Sequence, residues 1–134
     1  MSADSSWDLQ QAVYGALTGD SALMALVRGV YDHVPQGSAF PYVVIGEGTA
    51  RAWGAAGLDG IEATLAIHVW SRERGLREIK TVSAEIHRIP HDASLALAGH
   101  TLVSLRFAFA ESALEPDGAT RHGVISFRAV THTP

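Results

Sequence analysis

Residues 61–89 read IEATLAIHVWSRERGLREIKTVSAEIHRI, and the spacing of their apolar side chains changes partway along. Ile61, Ala63, Leu65, Ile67 and Val69 recur at every second position, the period of a strand with one buried face. Leu76, Ile79, Val82, Ile86 and Ile89 then recur at intervals of three and four, the period of a helix with one apolar stripe. Ser71 to Gly75 lies between them and supplies the turn. A half-apolar strand that runs straight into an amphipathic helix can bury both apolar surfaces by folding the helix back across the sheet. The rest of the chain reads as what completes that pair of layers.

Upstream, Ser5 or Ser6 is placed to cap a first helix, with Asp8 in the opening turn and Leu9, Ala12, Val13, Ala16 and Leu17 along one stripe. Gly19 stops it. Asp20 is placed to cap a short second helix with Leu23, Leu26 and Val27 inward and Gly29 as the next stop, so the pair forms a helical lid over one end of the sheet. Val30 to Val34 is β-prone but is flanked by Pro35, Gly37 and Pro41, and Tyr42 to Glu47 is the first full strand. Gly48 to Gly60 holds Gly54, Gly57, four alanines, Arg51 and Trp53. It exceeds the usual hairpin loop of about 2 to 5 residues and reads as a mobile or partner-ordered excursion.

Downstream, Pro90 ends the central helix and His91 to Gly99 crosses to a third long strand. There Val103, Leu105, Phe107 and Phe109 form the core face, with Leu102, Ser104, Arg106 and Ala108 opposite. The last strand, His122 to Val130, points Ile125, Phe127 and Ala129 inward and Ser126 and Arg128 outward, and Asp117-Gly118 marks the turn of the intervening arm. The predicted order is ααββαββ. This is an α+β fold with an antiparallel sheet of about four strands packed by a central helix, in one domain spanning residues 1–134.

Composition narrows the function. Ten Lys and Arg against fourteen Asp and Glu give a net charge of -4 with no basic block, which disfavours tight phosphate binding. An acidic surface suits a channel that must let DNA slide. The absence of cysteine removes a disulfide framework and thiolate chemistry. Met1 to Trp7 lacks the basic and apolar regions of a signal peptide, and the apolar runs fall short of the ~20 residues a membrane helix needs, so a soluble intracellular protein is expected.

No residue set specifies a reaction. His87 and His91 share a helical face beside Asp92, but Pro90 intervenes, no third ligand is fixed and no HExxH pattern is present, so they read as a solvated helix end. Neither a Gly-x-Ser-x-Gly elbow nor a Walker pattern occurs. Glu62, His68, Arg106 and Arg128 fall on strand faces opposite the apolar ones, where cross-strand ion pairs or a subunit contact can form. Trp70 ends a core strand and reads as packing, whereas Trp53, in a glycine-rich loop, has the character of an interface anchor.

Three segments carry a resemblance. Val30-Tyr31-Asp32-His33-Val34-Pro35 with Phe40-Pro41-Tyr42-Val43-Val44-Ile45-Gly46, then His68-Val69-Trp70-Ser71-Arg72, then Asp117-Gly118-Ala119-Thr120-Arg121-His122-Gly123, resemble in order and spacing the small tail-completion proteins of long-tailed phages and gene transfer agents. The resemblance runs from Leu9 to Val130 and implies a tail terminator. Such a protein forms a homo-hexameric ring, before or only upon reaching the tail tube. The ring caps the head-proximal end of the tube, halts its polymerisation and presents a surface to the head-side connector or stopper, while DNA passes through the lumen without specific binding. It is not an enzyme and implies no cofactor, no metal and no membrane; it is assembled in the cytoplasm and ends in the tail or neck of the particle. On this reading two arms, Gly48 to Gly60 and Glu111 to Arg121, are ordered by partners. The candidate ring or partner contacts are Arg51, Trp53, Leu58, Glu111, Glu115, Asp117 and Arg121, together with Arg106 and Arg128. Two other readings stay open: another neck component, such as a stopper or adaptor, and a dimeric α+β domain with a closed apolar pocket for a small ligand.

Overall fold

The computed structural model describes residues 4–54 and 59–133. Its elements are α1 (Ser6–Thr18), α2 (Ser21–Met24), β1 (Val30–Tyr31), β2 (Tyr42–Ile45), β3 (Ala50–Trp53), β4 (Gly60–Ser71), α3 (Arg77–Arg88), β5 (Thr101–Leu114) and β6 (Arg121–His132). The strands form one six-stranded sheet in the order β1-β2-β4-β6-β5, with β3 also paired to β4. All pairings are antiparallel except β1 with β2. The fold is therefore α+β with a mixed sheet. It corrects the expected antiparallel sheet of about four strands in the order ααββαββ by two strands.

Both additions have a local cause. β1 lies beside β2 in the same direction because the Pro- and Gly-containing chain between them doubles back, with Arg28 N–H donating to Pro41 O and Val43 N–H to Gly29 O. β3 sits inside the stretch expected to be an excursion. It pairs along Gly60–Ala63, the part of the β4 edge that β2 leaves free. Close approach is what the glycines there permit: a Cβ on Gly48 would collide with the Thr64 carbonyl, and one on Gly60 with that of Trp53. Thr49 and Thr64 share a hydroxyl hydrogen bond of 2.8 Å beside the first of these contacts.

The 61–89 stretch folds as its periodicity predicts except at Leu76, expected on the apolar stripe but 46% exposed because it precedes the first turn of α3. Ala63, Leu65, Ile67 and Val69 are buried on one face of β4, and Ile79, Val82 and Ile86 of α3 are buried against them with Ile125, Phe127 and Ala129 of β6. Burying an aliphatic or aromatic side chain of this size stabilises by about 1.5–3 kcal/mol. The turn between strand and helix is tied by the buried Ser71, whose hydroxyl donates to Glu78 Oε1 at 2.6 Å and accepts from Glu73 N–H. Gly75 completes it at φ +80°, a conformation that disfavours side chains with a Cβ.

Leu9, Val13 and Leu17 of α1 and Leu23 and Val27 at α2 join the same core. Asp20 caps α2 through Leu23 N–H at 3.0 Å. Ser5 does not cap α1 with its side chain; its buried hydroxyl bonds that of Thr131 at 2.5 Å, and Asp4 Oδ1 takes the Ser6 N–H instead. Leu26, expected inward, is exposed because α2 ends at Met24, before a second turn can carry Leu26 to the core.

The third long strand departs furthest from expectation. β5 pairs along its length with β6, but its register shifts between Leu102 and Ser104 and again between Phe107 and Phe109. Each bulge inserts a residue and reverses which face the following side chains take. Leu105 stays buried and Phe107 packs against the core, whereas Val103 and Phe109, both expected inside, are each 53% exposed.

Candidate interaction surface on the open face of the sheet

All three helices bury their apolar stripes in one cluster on one face of the sheet. Among the described residues no layer covers the other face. Residues directly opposite in an antiparallel ladder share a face. The open face therefore carries Arg51, Trp53, Glu62, Thr64, His68 and Trp70 from one side, and His122, Val124, Arg128, Arg106, Phe109 and Glu111 from the other.

Toward the hairpin end of this face lies a stack of rings. Trp70 and His122 face each other with centroids 3.8 Å apart and planes 8° from parallel, and His68 Nδ1 lies 2.6 Å from His122 Nε2. Glu115 Oε1 is 3.2 Å from the other His122 nitrogen. Glu47 Oε1 is 3.3 Å from His68 Nε2 but out of line for a hydrogen bond. His68 Nε2 is consequently the one buried side-chain polar atom without a hydrogen-bond partner among the described residues. Burial, followed by the neighbouring His68, holds the His122 pKa below its ordinary value, against the pull of Glu115.

The two ends of the face differ in charge. At the β3 end, Arg51 donates to Glu62 Oε1 at 2.7 Å and Trp53, 44% exposed, lies over Gly60. Nearby, Arg106 and Arg128 are direct cross-strand partners, both exposed, with Asp92 3.6 Å from the Arg106 guanidinium. At the opposite end the β5–β6 hairpin carries Glu111, Glu115 and Asp117, with Arg121 opposite Leu114. The hairpin turn is built on Asp117, which accepts from Thr120 N–H at 2.8 Å, Ala119 N–H at 2.9 Å and the Thr120 hydroxyl at 2.7 Å. Those donors lower its pKa to about 2. Arg72 braces the same hydroxyl at 3.1 Å and stacks over Phe40.

The predicted contact residues thus fall into two groups, not one. Arg51, Trp53, Arg106 and Arg128 gather at one end, and Glu111, Glu115, Asp117 and Arg121 at the other. Leu58 lies outside the described residues. The arm Glu111 to Arg121 is the end of a two-stranded ladder closed by a short turn at Asp117-Gly118, the position expected for it. Sequence reasoning placed His68 on this face but missed its partners. Trp70 packs as expected, yet against His122 on the open face and not in the core. Only the β4–β6 register joins these residues, and no local spacing reveals it. His87 is exposed at the helix end, as expected, and also packs its ring on Phe107 at 4.1 Å, while the half-buried His91 Nδ1 accepts the Phe107 N–H at 2.9 Å, a contact the sequence did not suggest. No group of metal-binding side chains occurs among the described residues, and no helix there is long and apolar enough to cross a membrane.

The family model described as tail completion protein gp17 matches residues 11–132 of this chain. The chain belongs to that family. Gp17-family proteins are structural tail-completion proteins of virions. The tail completion protein gp17 of Bacillus phage SPP1 is 28% identical over 120 residues, 90% of this chain and 89% of that protein. Among solved structures, a chain of the virion of a native gene transfer agent particle superposes with a TM-score of 0.91 at 30% identity, covering 98% of this chain and 99% of that one. The structure of bacteriophage SPP1 gp17 matches in fold with a TM-score of 0.63 at 24% identity, covering 92% and 88% of the two chains.

Proposed function

We propose that residues 1–134 act as one tail-terminator-like domain, a homo-hexameric ring that caps the head-proximal end of a tail tube. The ring stops tube polymerisation, offers its far side to a head-side connector or stopper, and lets DNA through its lumen without specific binding. The observation that carries this reading is the end-to-end likeness to a chain of a gene transfer agent virion, which leaves almost no part of either chain unmatched. The open face supports it: its two ends differ in charge, which suits a ring that meets two unlike partners. The net charge of -4 suits passage of DNA. Arg51, Trp53, Arg106 and Arg128 are proposed for one partner, and Glu111, Glu115, Asp117 and Arg121 for the ring or the other partner. Leu58 is retained as a candidate on sequence grounds. A stopper or adaptor would differ in its partner, binding the portal-side ring and not the tube end.

The test is native mass over a concentration series, with and without the tail-tube protein encoded beside this chain, and electron microscopy of the same samples. Hexameric rings, or monomers that become rings only on tube ends, are expected. A dimer indifferent to tubes would sink the reading.

A further inference from the structure

The sheet has two free edges at one level. Following the ladders across it, Val30 of β1 aligns with Val43, Val69, Gly123 and finally Ser112 of β5, and Tyr31 aligns with Val44, His68, Val124 and Glu111. The pairings also fix direction, because β1 runs with β2 and β6 and against β4 and β5. No backbone hydrogen bond joins the outer edge of Val30–Tyr31, or that of residues 108–114, to another described segment. A rotation about an axis along the strands keeps strand direction and level. It therefore brings β1 of one copy beside the far half of β5 of the next, antiparallel and without a shift.

The surroundings of the two edges are complementary. Beside β1 lies a groove of about 500 Å³ between α1 and the strand, lined by Trp7, Gln10, Tyr14, Tyr31 and His33. Trp7 and Tyr14 are 60% and 46% exposed there. On β5, Leu114 shares the face of Ser112 and Ala110, which oppose the buried Gly123 and Ile125, yet it is 49% exposed because the helices end short of it. In a sheet continued from copy to copy, Leu114 comes to the side of the next molecule's α1, where the aromatic groove is. Charge agrees as well. Arg28, exposed and without an ion pair among the described residues, precedes β1 by two positions and would meet the arm at Leu114-Glu115.

The other free strand does not fit this role. β3 lies level with Thr101 to Leu105, and next to that stretch the outer edge of β5 is already occupied, with Asp92 N–H on Leu105 O at 2.8 Å and Phe107 N–H on His91 at 2.9 Å.

We infer that the outer edge of residues 108–114 of one copy adds as an antiparallel strand to β1 of the next, with Leu114 seated in the groove beside Trp7 and Tyr14. The inference rests on the ring reading and names its contact. Repeated head to tail, this contact joins the copies through one continuous sheet and leaves β3, with Trp53, at an end of the ring.

The chain has no cysteine, so a pair introduced by substitution reports without background. The variant D32C/A110C places thiols at positions that oppose each other in this register, and A52C/A110C pairs the arm with β3 as a control. Both are assembled on tail tubes and treated with a short bismaleimide, which tolerates a slip of one register. A covalent ladder extending to the hexamer is expected for the first variant and at least a tenfold lower yield for the control. Rings seen by microscopy with no ladder above the control would overturn this contact while leaving the ring intact. Tubes that the unsubstituted protein never caps with rings would remove the ring reading and this inference with it. In the unsubstituted protein, amide exchange supplies a measurement free of mutation: residues 108–114 and 30–34 slow together at least tenfold on assembly, and slowing of only one segment overturns the pairing.

Discussion

β4 and β5 have much the same look in sequence, long runs with an apolar residue at most second positions, and they end in different places. β4 is paired on both sides and every second side chain from Ala63 to Val69 is buried. β5 is paired along its full length only by β6, slips twice, and leaves Val103 and Phe109 in the open. Alternation therefore assigns a face only where the ladder keeps its register. A strand held from both sides has little room to bulge, whereas an edge strand can absorb an extra residue on its free side.

The largest effect expected from this contrast is in β6, between the two. Phe127 is fully buried and its replacement, F127A, should cost about 3–5 kcal/mol, read as a lower urea midpoint with an unchanged slope. A loss under about 1 kcal/mol would mean that the core lies elsewhere.

A smaller, conditional effect belongs to the ring stack. The folded pKa of His122 lies below 6.5 because burial, then His68, disfavours its charged form. The unfolded chain consequently binds more protons in the window below pH 6.5. Stability is full above that window and falls as pH drops through it toward the lowered folded value. His68, Glu47 and Glu115 face the ring, so the measurement is the difference between wild type and H122Q in urea midpoint from pH 7.5 to 5. The wild type should lose more than H122Q as the pH drops. Equal slopes would show that His122 is not the group responsible.

The smallest effect sharpens the comparison. F109S should change stability by no more than about 0.5 kcal/mol, the range of surface substitutions, since Phe109 is half exposed beyond the second bulge. A loss comparable to F127A would restore Phe109 to the core and refute the slipped register.

The layer pair was legible in the sequence because its signals are local: the period change at Ser71 to Gly75, Asp20 before α2, and Asp117-Gly118 at the hairpin turn. The family was legible in the motifs near Tyr31, Trp70 and His122, spread across most of the chain. What stayed hidden depends on pairing between distant residues. β3, Ala50-Arg51-Ala52-Trp53, sits between glycines, its alanines carry no strand signal, and it owes its conformation to the free edge of β4. The Trp70–His122–His68 stack needs the register of β4 on β6, and Ser5 turns from cap to core because Thr131 lies beneath it.

His91 and Asp92 carry a further consequence, for solubility. A sheet with two long, unbroken edges invites other copies to add without limit. Here one side of β4 is divided between β2 and β3, and the near half of β5 is plugged by an imidazole and a backbone amide at Phe107 and Leu105. Among the described residues no long edge is open along its full length, which works against unlimited edge-to-edge stacking into fibrils.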